Sequence, residues 1–241
     1  MNSDILFISD LHIAIEKPEI TQRFLLFLTS RATKAKALYI LGDLFDVWIG
    51  DDDQTPPLNK IRRHLKQLTA SGISVFLQPG NRDFLLGQEF CHATGVQLLG
   101  DYVVIDLFGT PTLLTHGDLL CTDDLAYQAF RVKSHSPEWR QSVLAKPLLI
   151  RLLAARWYRF RSFLHKRKKS QEIMDVNAST VVDVMQRYGC FRLVHGHTHR
   201  PAVHNFEING QAAQRFVLAD WTKDEGKILC WHKNGYRIEI I

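Results

Sequence analysis

Seven side chains, Asp10, His12, Asp43, Asn81, His116, His197 and His199, have the types and spacing to hold two divalent cations, and the chemistry that follows is phosphoester or phosphoanhydride hydrolysis. The densest stretch is His195-Gly196-His197-Thr198-His199, and four upstream motifs complete it: Asp10-Leu11-His12, Gly42-Asp43, Gly80-Asn81 and His116. Two cations about 3.5 to 4 Å apart need a shared carboxylate and an open position for water and substrate. Asp10, His12 and His199 suit one cation, Asn81, His116 and His197 the other, and Asp43 both. Mixed nitrogen and oxygen donors without thiolate favour Mn, Fe or Zn over Cu(I), and four histidines argue against Mg. Two Mn²⁺ per chain are expected. A lone Gly-Asp or Gly-Asn is more often a turn, so the weight lies in the whole set.

Each motif closes a short apolar run of strand length. Such runs occur at 5–9, 37–41, 73–77, 112–115, 193–194, 216–219 and 228–231. Helical periodicity separates the early ones: Phe24, Leu25, Phe27 and Leu28 within 20–31, then Leu58, Ile61, Leu65 and Leu68 within 58–71. This βαβ alternation predicts parallel strands, and ligands of such sheets gather beyond the carboxyl ends of the strands. All the polar motifs are therefore expected along one sheet edge. Unpaired polar groups are costly to bury, so their shared position calls for a ligand.

With 241 residues, 46% of them hydrophobic, the chain can build a sizeable core. It is expected to be a single α/β domain over 1–241 with a helical lid insertion at about 125–175. The four cysteines are far apart with no Cys-x-x-Cys pair, which excludes a zinc ribbon and a redox dithiol and predicts free, buried thiols. The N-terminus has no basic region followed by an apolar stretch and a cleavage site, and no apolar window is long enough to span a bilayer, so a cytoplasmic chain is expected. The net charge of +5 is concentrated: residues 151–169 hold eight Lys or Arg and no acid, which leaves −3 for the rest. That segment is expected to meet an anion.

The set D-x-H, G-D, G-N, H and G-H-x-H resembles the calcineurin-like metallophosphoesterases. Longer stretches narrow the resemblance: Gly42-Asp43-Leu44-Phe45-Asp46-Val47-Trp48-Ile49-Gly50-Asp51-Asp52-Asp53, Gly80-Asn81-Arg82-Asp83-Phe84-Leu85-Leu86-Gly87 and His116-Gly117-Asp118-Leu119-Leu120-Cys121-Thr122-Asp123-Asp124. They are similar to the UDP-2,3-diacylglucosamine pyrophosphatases of lipid A biosynthesis. The resemblance implies a four-layer α/β/β/α sandwich and Mn-dependent hydrolysis of UDP-2,3-diacylglucosamine to UMP and 2,3-diacylglucosamine 1-phosphate (lipid X). It also implies a peripheral position on the cytoplasmic face of the inner membrane, with no nucleic acid and no obligate protein partner. Substrate contacts carry over to Asn81, Arg82, Asp124 and His197, and, in the less similar stretch 137–170, to Ser162, Lys166 and Lys169. Asp43, Arg82 and His116 are assigned to catalysis.

Arg82 stands where many metallophosphoesterases have a histidine that protonates the leaving oxygen. Arginine cannot give up its proton at neutral pH, but it clamps phosphate oxygens bidentately, and a phosphate leaving group needs little protonation. The expectation is metal-activated hydroxide attacking the UMP phosphorus, with Arg82 holding the developing charge and Asp83 and Asp118 orienting ligand imidazoles. In the insertion, Leu149, Leu152, Leu153, Trp157, Phe160, Phe163 and Leu164 form an apolar stripe that also takes in Arg156, while Arg151, Arg161 and Lys166 lie outside it. The stripe reads as core packing, as a surface for an acylated ligand on an anionic bilayer, or as both. Two other classes compete: a nuclease or cyclic-nucleotide phosphodiesterase tracked by the basic cluster, and a metal-binding scaffold without turnover. Intact ligands oppose the scaffold.

Overall fold

The computed structural model describes residues 4–166 and 175–241, with residues 159–166 described as backbone only. The elements run β1 (Ile5–Ile8), α1 (Pro18–Thr29), β2 (Ala37–Leu41), α2 (Leu58–Ala70), β3 (Ser74–Gln78), α3 (Gln88–Thr94), β4 (Gln97–Leu98), β5 (Val103–Asp106) and β6 (Pro111–Leu114). They continue with α4 (Leu125–Ser134), α5 (Pro137–Leu144), α6 (Leu148–Lys166), α7 (Ala178–Arg187), β7 (Arg192–His195), β8 (Ala202–Ile208), β9 (Gln211–Val217), β10 (Lys227–His232) and β11 (Gly235–Ile240).

Two sheets form rather than one. The first has the order β11-β10-β1-β2-β3-β4 and the second β5-β6-β7-β9-β8. β1 to β4 pair in parallel, as the βαβ alternation predicts. Beyond that alternation the pairing is mixed: β10 joins both β1 and β11 antiparallel, and the second sheet holds both senses. Connection length accounts for the hairpins, because β10 to β11 and β8 to β9 are joined by tight turns that allow only antiparallel pairing.

Period-two burial assigns the layers. Along β1, Leu6 and Ile8 join the core beneath α1 and α2, whereas Ile5 and Phe7 join the core between the sheets. β2 repeats this, with Leu38 and Ile40 on one side and Ala37, Tyr39 and Leu41 on the other. On the outer face of the second sheet, Leu113, Leu193 and Ala213 meet Val181, Val184 and Met185 of α7. Three interlayer cores make the four layers of an α/β/β/α sandwich.

The predicted helix stripes hold. Phe24, Phe27 and Leu28 of α1 are buried, and Trp221 packs edge-on against Phe24 and Phe27 at 6.1 and 5.8 Å. Leu58, Ile61, Leu65 and Leu68 of α2 are buried as spaced. Cys121, Cys190 and Cys230 are buried free thiols, while Cys91 is half-buried. Between Cys121 and Cys190 the described residues form helices α4 to α7 and no strand.

Candidate metal centre

The motif residues leave the carboxyl ends of five strands: Asp10 and His12 after β1, Asp43 after β2, Asn81 after β3, His116 after β6, and His197 and His199 after β7. Their expected position along one sheet edge is corrected to a cleft between two, since the last two of these strands belong to the second sheet. Strand ends look alike in sequence whichever sheet they close.

Backbone hydrogen bonds carry the β1–β2 pairing into the loops: Asp10 N to Gly42 O at 3.1 Å, His12 N to Asp43 O at 3.0 Å and Ile13 N to Leu44 O at 3.0 Å. Across the cleft, His116 Nδ1 lies 2.9 Å from the Leu41 carbonyl, which can only accept. Nδ1 therefore carries a proton, which turns Nε2 toward the cleft, the orientation a ligand imidazole needs. Gly42 permits this approach: its φ is +87°, and any Cβ would collide with the His116 ring.

Five of the seven expected ligands adopt left-handed backbone: Asp10 (φ 55°), His12 (48°), Asp43 (52°), His197 (70°) and His199 (55°). Each such residue costs on the order of 1–3 kcal/mol, and strain of this kind persists where function demands a geometry. Only two other non-glycine residues of the described chain, Phe108 and Asn209, share it.

Donors converge in two groups, Asp10 with His12 and His199, and Asp10 with Asp43 and His116. His12 Nε2 and His199 Nε2 are 3.2 Å apart, His199 Nε2 is 3.3 Å from Asp10 Oδ1, and His116 Nε2 is 3.1 Å from Asn81 Oδ1. Asp43 reaches both groups, with Oδ2 3.8 Å from His12 Nδ1 and Oδ1 3.7 Å from His116 Nε2. The His197 ring stands 5.0 Å from that of His116, centroid to centroid. Asp10 Oδ2 accepts from Ser9 Oγ at 2.6 Å and from His197 N at 2.9 Å, while buried Asp10 Oδ1 and His12 Nδ1 have no hydrogen-bond partner among the described residues. Buried polar atoms left in this way want a partner.

Electrostatics give the same reading. Burial pushes His12 down to about 2 and Asp43 up to about 7. Burial also opposes the charging of His116, yet Asp43, Asp10 and Asp118 together lift it to about 9. Burial acts to raise Asp10 too, and the His199, His116 and His12 contacts outweigh it and hold the carboxyl low. Carboxylates and imidazoles thus compete for protons in a buried site. A divalent cation resolves that competition, and the donor set fits one.

Arg82 donates its backbone N–H to Asp43 Oδ1 at 2.8 Å, and its half-buried guanidinium has no carboxylate partner among the described residues. Asp124 acts as the N-cap of α4, accepting from Tyr127 N at 3.1 Å. Ser162 and Lys166 lie on the backbone of α6, and Lys169 lies outside the described residues.

Asp83 and Asp118, expected to orient ligand imidazoles, also tie the frame to the centre. Asp83 accepts from Gly80 N at 2.7 Å and Phe45 N at 3.2 Å, tying the second and third strand-end loops together. Asp118 accepts from Tyr127 Oη at 2.5 Å and Arg131 Nε at 2.7 Å, anchoring α4 beside the centre. Both carboxylates also lie within electrostatic reach of the His116 ring, and Asp118 within that of His197.

The reading of the helical stripe is corrected over its described side chains; those of Phe160, Arg161, Phe163 and Leu164 lie outside them. Arg151, placed outside the apolar stripe, is the buried cation: it pairs with Asp52 and donates to Ile49 O at 2.5 Å and Lys146 O at 2.8 Å. Arg156, placed inside the stripe, is exposed. Leu149, Leu153 and Trp157, at i, i+4 and i+8, are 65%, 56% and 61% exposed, so this face of α6 is not core. Periodicity locates a stripe without saying which side a neighbour covers.

Sequence reading missed Asp220, whose Oδ2 is 3.6 Å from His199 Nδ1. It follows the 216–219 apolar run, so the strand-end rule that found the other residues applies to it.

The sequence profile of the calcineurin-like phosphoesterases matches residues 3–201. A UDP-2,3-diacylglucosamine hydrolase of Haemophilus ducreyi is 47% identical over 230 residues, covering 95% of this chain and 97% of its own. This chain belongs to the calcineurin-like phosphoesterases, in the UDP-2,3-diacylglucosamine hydrolase family. A Klebsiella pneumoniae member of that family is 50% identical over 235 residues, 98% of this chain and 94% of its own. Among solved structures, an archaeal phosphodiesterase aligns with 99% of each chain at 11% identity and a TM-score of 0.48. The shares covered by both hydrolase alignments leave no room for either to omit α4 to α6.

Proposed function

We propose that this chain hydrolyses the pyrophosphate bond of UDP-2,3-diacylglucosamine at the UMP phosphorus, releasing UMP and 2,3-diacylglucosamine 1-phosphate, with two Mn²⁺ bound. One observation carries the reading: likeness to UDP-2,3-diacylglucosamine hydrolases covers 95% and 98% of the chain, the helical insertion as well as the shared centre. Asp10, His12 and His199 would hold one ion, Asn81, His116 and His197 the other, with Asp43 between them. When bound, the ions supply Lewis-acid polarisation of phosphoryl oxygens and a water acidic enough to attack near neutral pH.

The protein's own groups set the geometry. His116 Nδ1–H is committed to Leu41 O, which keeps Nε2 on the cleft side. Asn81 adds a neutral carbonyl, so the centre keeps its electrophilic character. The Arg82 guanidinium is available to clamp the equatorial oxygens as charge builds on them. Attack at the UMP phosphorus makes the acylated sugar phosphate the leaving group, which departs without a proton from Arg82.

Ser162, Lys166 and Lys169, with Asp124 at the head of α4, are proposed to hold the sugar phosphate. The exposed Leu149, Leu153 and Trp157 suit acyl chains, and the basic end of α6 suits an anionic bilayer. We place the chain as a single domain, with its lid at about 125–175, peripherally on the cytoplasmic face of the inner membrane. No described helix is long and apolar enough to cross a membrane.

The test is turnover of UDP-2,3-diacylglucosamine in detergent with Mn²⁺ in ¹⁸O-water, beside bis-p-nitrophenyl phosphate and single-stranded DNA. Label in UMP is expected. Label in the lipid product would reverse the attack site, and turnover of the diester or DNA alone would overturn the substrate.

A further inference from the structure

His195 is the one histidine of the pentapeptide outside the proposed metal set, and it is fully buried. Both ring nitrogens are engaged: Nδ1 lies 2.8 Å from the Gly196 carbonyl and Nε2 lies 3.2 Å from Arg215 Nη1. A carbonyl only accepts and a guanidinium only donates, so the proton sits on Nδ1 and Nε2 is bare. Arginine does not lose its proton, so the partner that selects this tautomer is permanent. Arg215 comes from β9, next to β7, and its guanidinium makes no other hydrogen bond among the described residues.

The Gly196 peptide is the junction of the centre. Its N–H donates to His116 O at 2.9 Å, its carbonyl also accepts from Thr198 N at 2.9 Å, and a Cβ there would collide with Asp10 Oδ2 and Ser9 Oγ. The next N–H, of His197, donates to Asp10 Oδ2. This peptide therefore touches two expected ligands and precedes two more. His197 and His199 are held at φ 70° and 55°, a conformation that would relax without outside restraint.

We propose that Arg215 and His195 form a strut that positions the metal-binding loop: Arg215 fixes the tautomer and tilt of His195, and His195 Nδ1–H pins the Gly196 carbonyl so that His197 and His199 face the ions. Both are positioning residues. The strut passes a hydrogen bond but no charge, because the ring between the guanidinium and the centre is neutral. The inference rests on the metal reading above.

The test is Mn²⁺ titration by calorimetry of the full chain stripped with EDTA, with melting of the metal-free form alongside. R215M and H195L are expected to weaken Mn²⁺ binding about 10- to 100-fold, the range for partners that orient ligands. The metal-free melting temperature of R215M should match wild type. H195N keeps an N–H at the Nδ1 position and should bind more tightly than H195L. Wild-type affinity in R215M overturns the strut, as does H195N binding no better than H195L, or an affinity loss in R215M matched by a lower metal-free melting temperature. Failure of the wild-type chain to bind Mn²⁺ would instead bring down the metal reading and the strut with it.

Discussion

At the residue scale, the position after Asn81 separates two kinds of chemistry. A histidine there could protonate an alkoxide; Arg82 cannot, and its fixed charge suits a phosphate that leaves as an anion. Its backbone N–H, not its side chain, supports Asp43 at 2.8 Å, so truncating the guanidinium should leave the metal donors in place. Arg82→Ala is therefore expected to lower kcat by about 10²- to 10³-fold, the scale for losing one charge-stabilising donor, with Mn²⁺ content unchanged. Arg82→Lys should recover only part, because an ammonium is a point donor without the bidentate fork. Measuring kcat together with metal content decides it, and full kcat in Arg82→Ala would remove the residue from the mechanism.

At the element scale, buried cations latch the insertion to the frame: Arg131 of α4 through Asp118, and Arg151 of α6 through Asp52. Arg151 joins the first turns of α6 to the loop after β2, through Asp52 and the Ile49 carbonyl. Asp51 fixes that same loop, accepting from Trp48 Nε1 at 3.0 Å, Gly87 N at 3.1 Å and Phe90 N at 2.9 Å. The long motif around Asp51 and Asp52 is thus scaffolding for the lid. Replacing Arg151 by Leu should cost about 1–3 kcal/mol, the scale of hydrogen bonds to a charged group. Faster amide exchange is expected in the first turns of α6, with a raised KM for the acylated substrate and an unchanged rate on bis-p-nitrophenyl phosphate. Equal losses on both substrates would mean that the latch serves the centre and not the lid. Sequence made the parallel half of the fold legible, because each apolar run there ends in a polar motif at a strand's carboxyl end. It hid β8, an edge strand whose residues are mostly exposed and follow no apolar run, and β4, which is only two residues long. It also hid Arg151, since a cation's partner a hundred residues away leaves no local trace.

For the whole molecule, the informative feature is that the donors are divided between two sheets. Asp10, His12, Asp43 and Asn81 come from the first sheet, His116, His197 and His199 from the second. The two sheets otherwise meet through the apolar core of Phe7, Tyr39, Leu114, Val194 and Phe216. The sequence singled out these seven residues and assigned them to one edge, because such a motif carries no mark of which sheet its strand joins. With the donors on facing sheets, a bound ion acts as a clasp across the interlayer core and binds the native state far better than the unfolded chain. An ion at about 100 times its Kd adds about 2.7 kcal/mol of stability. At about 2–4 °C per kcal/mol for a chain of this size, chelation should lower Tm by roughly 5–10 °C per ion lost. The effect should vanish in Asp43→Asn, which removes the carboxylate that reaches both His12 and His116 and so weakens retention of either ion. Calorimetric melts with and without EDTA, with metal content followed in parallel, test this directly. A chain stripped of metal with an unchanged Tm would mean that the packed core alone sets the spacing of the sheets, and that the cations fill a cleft already held open without them.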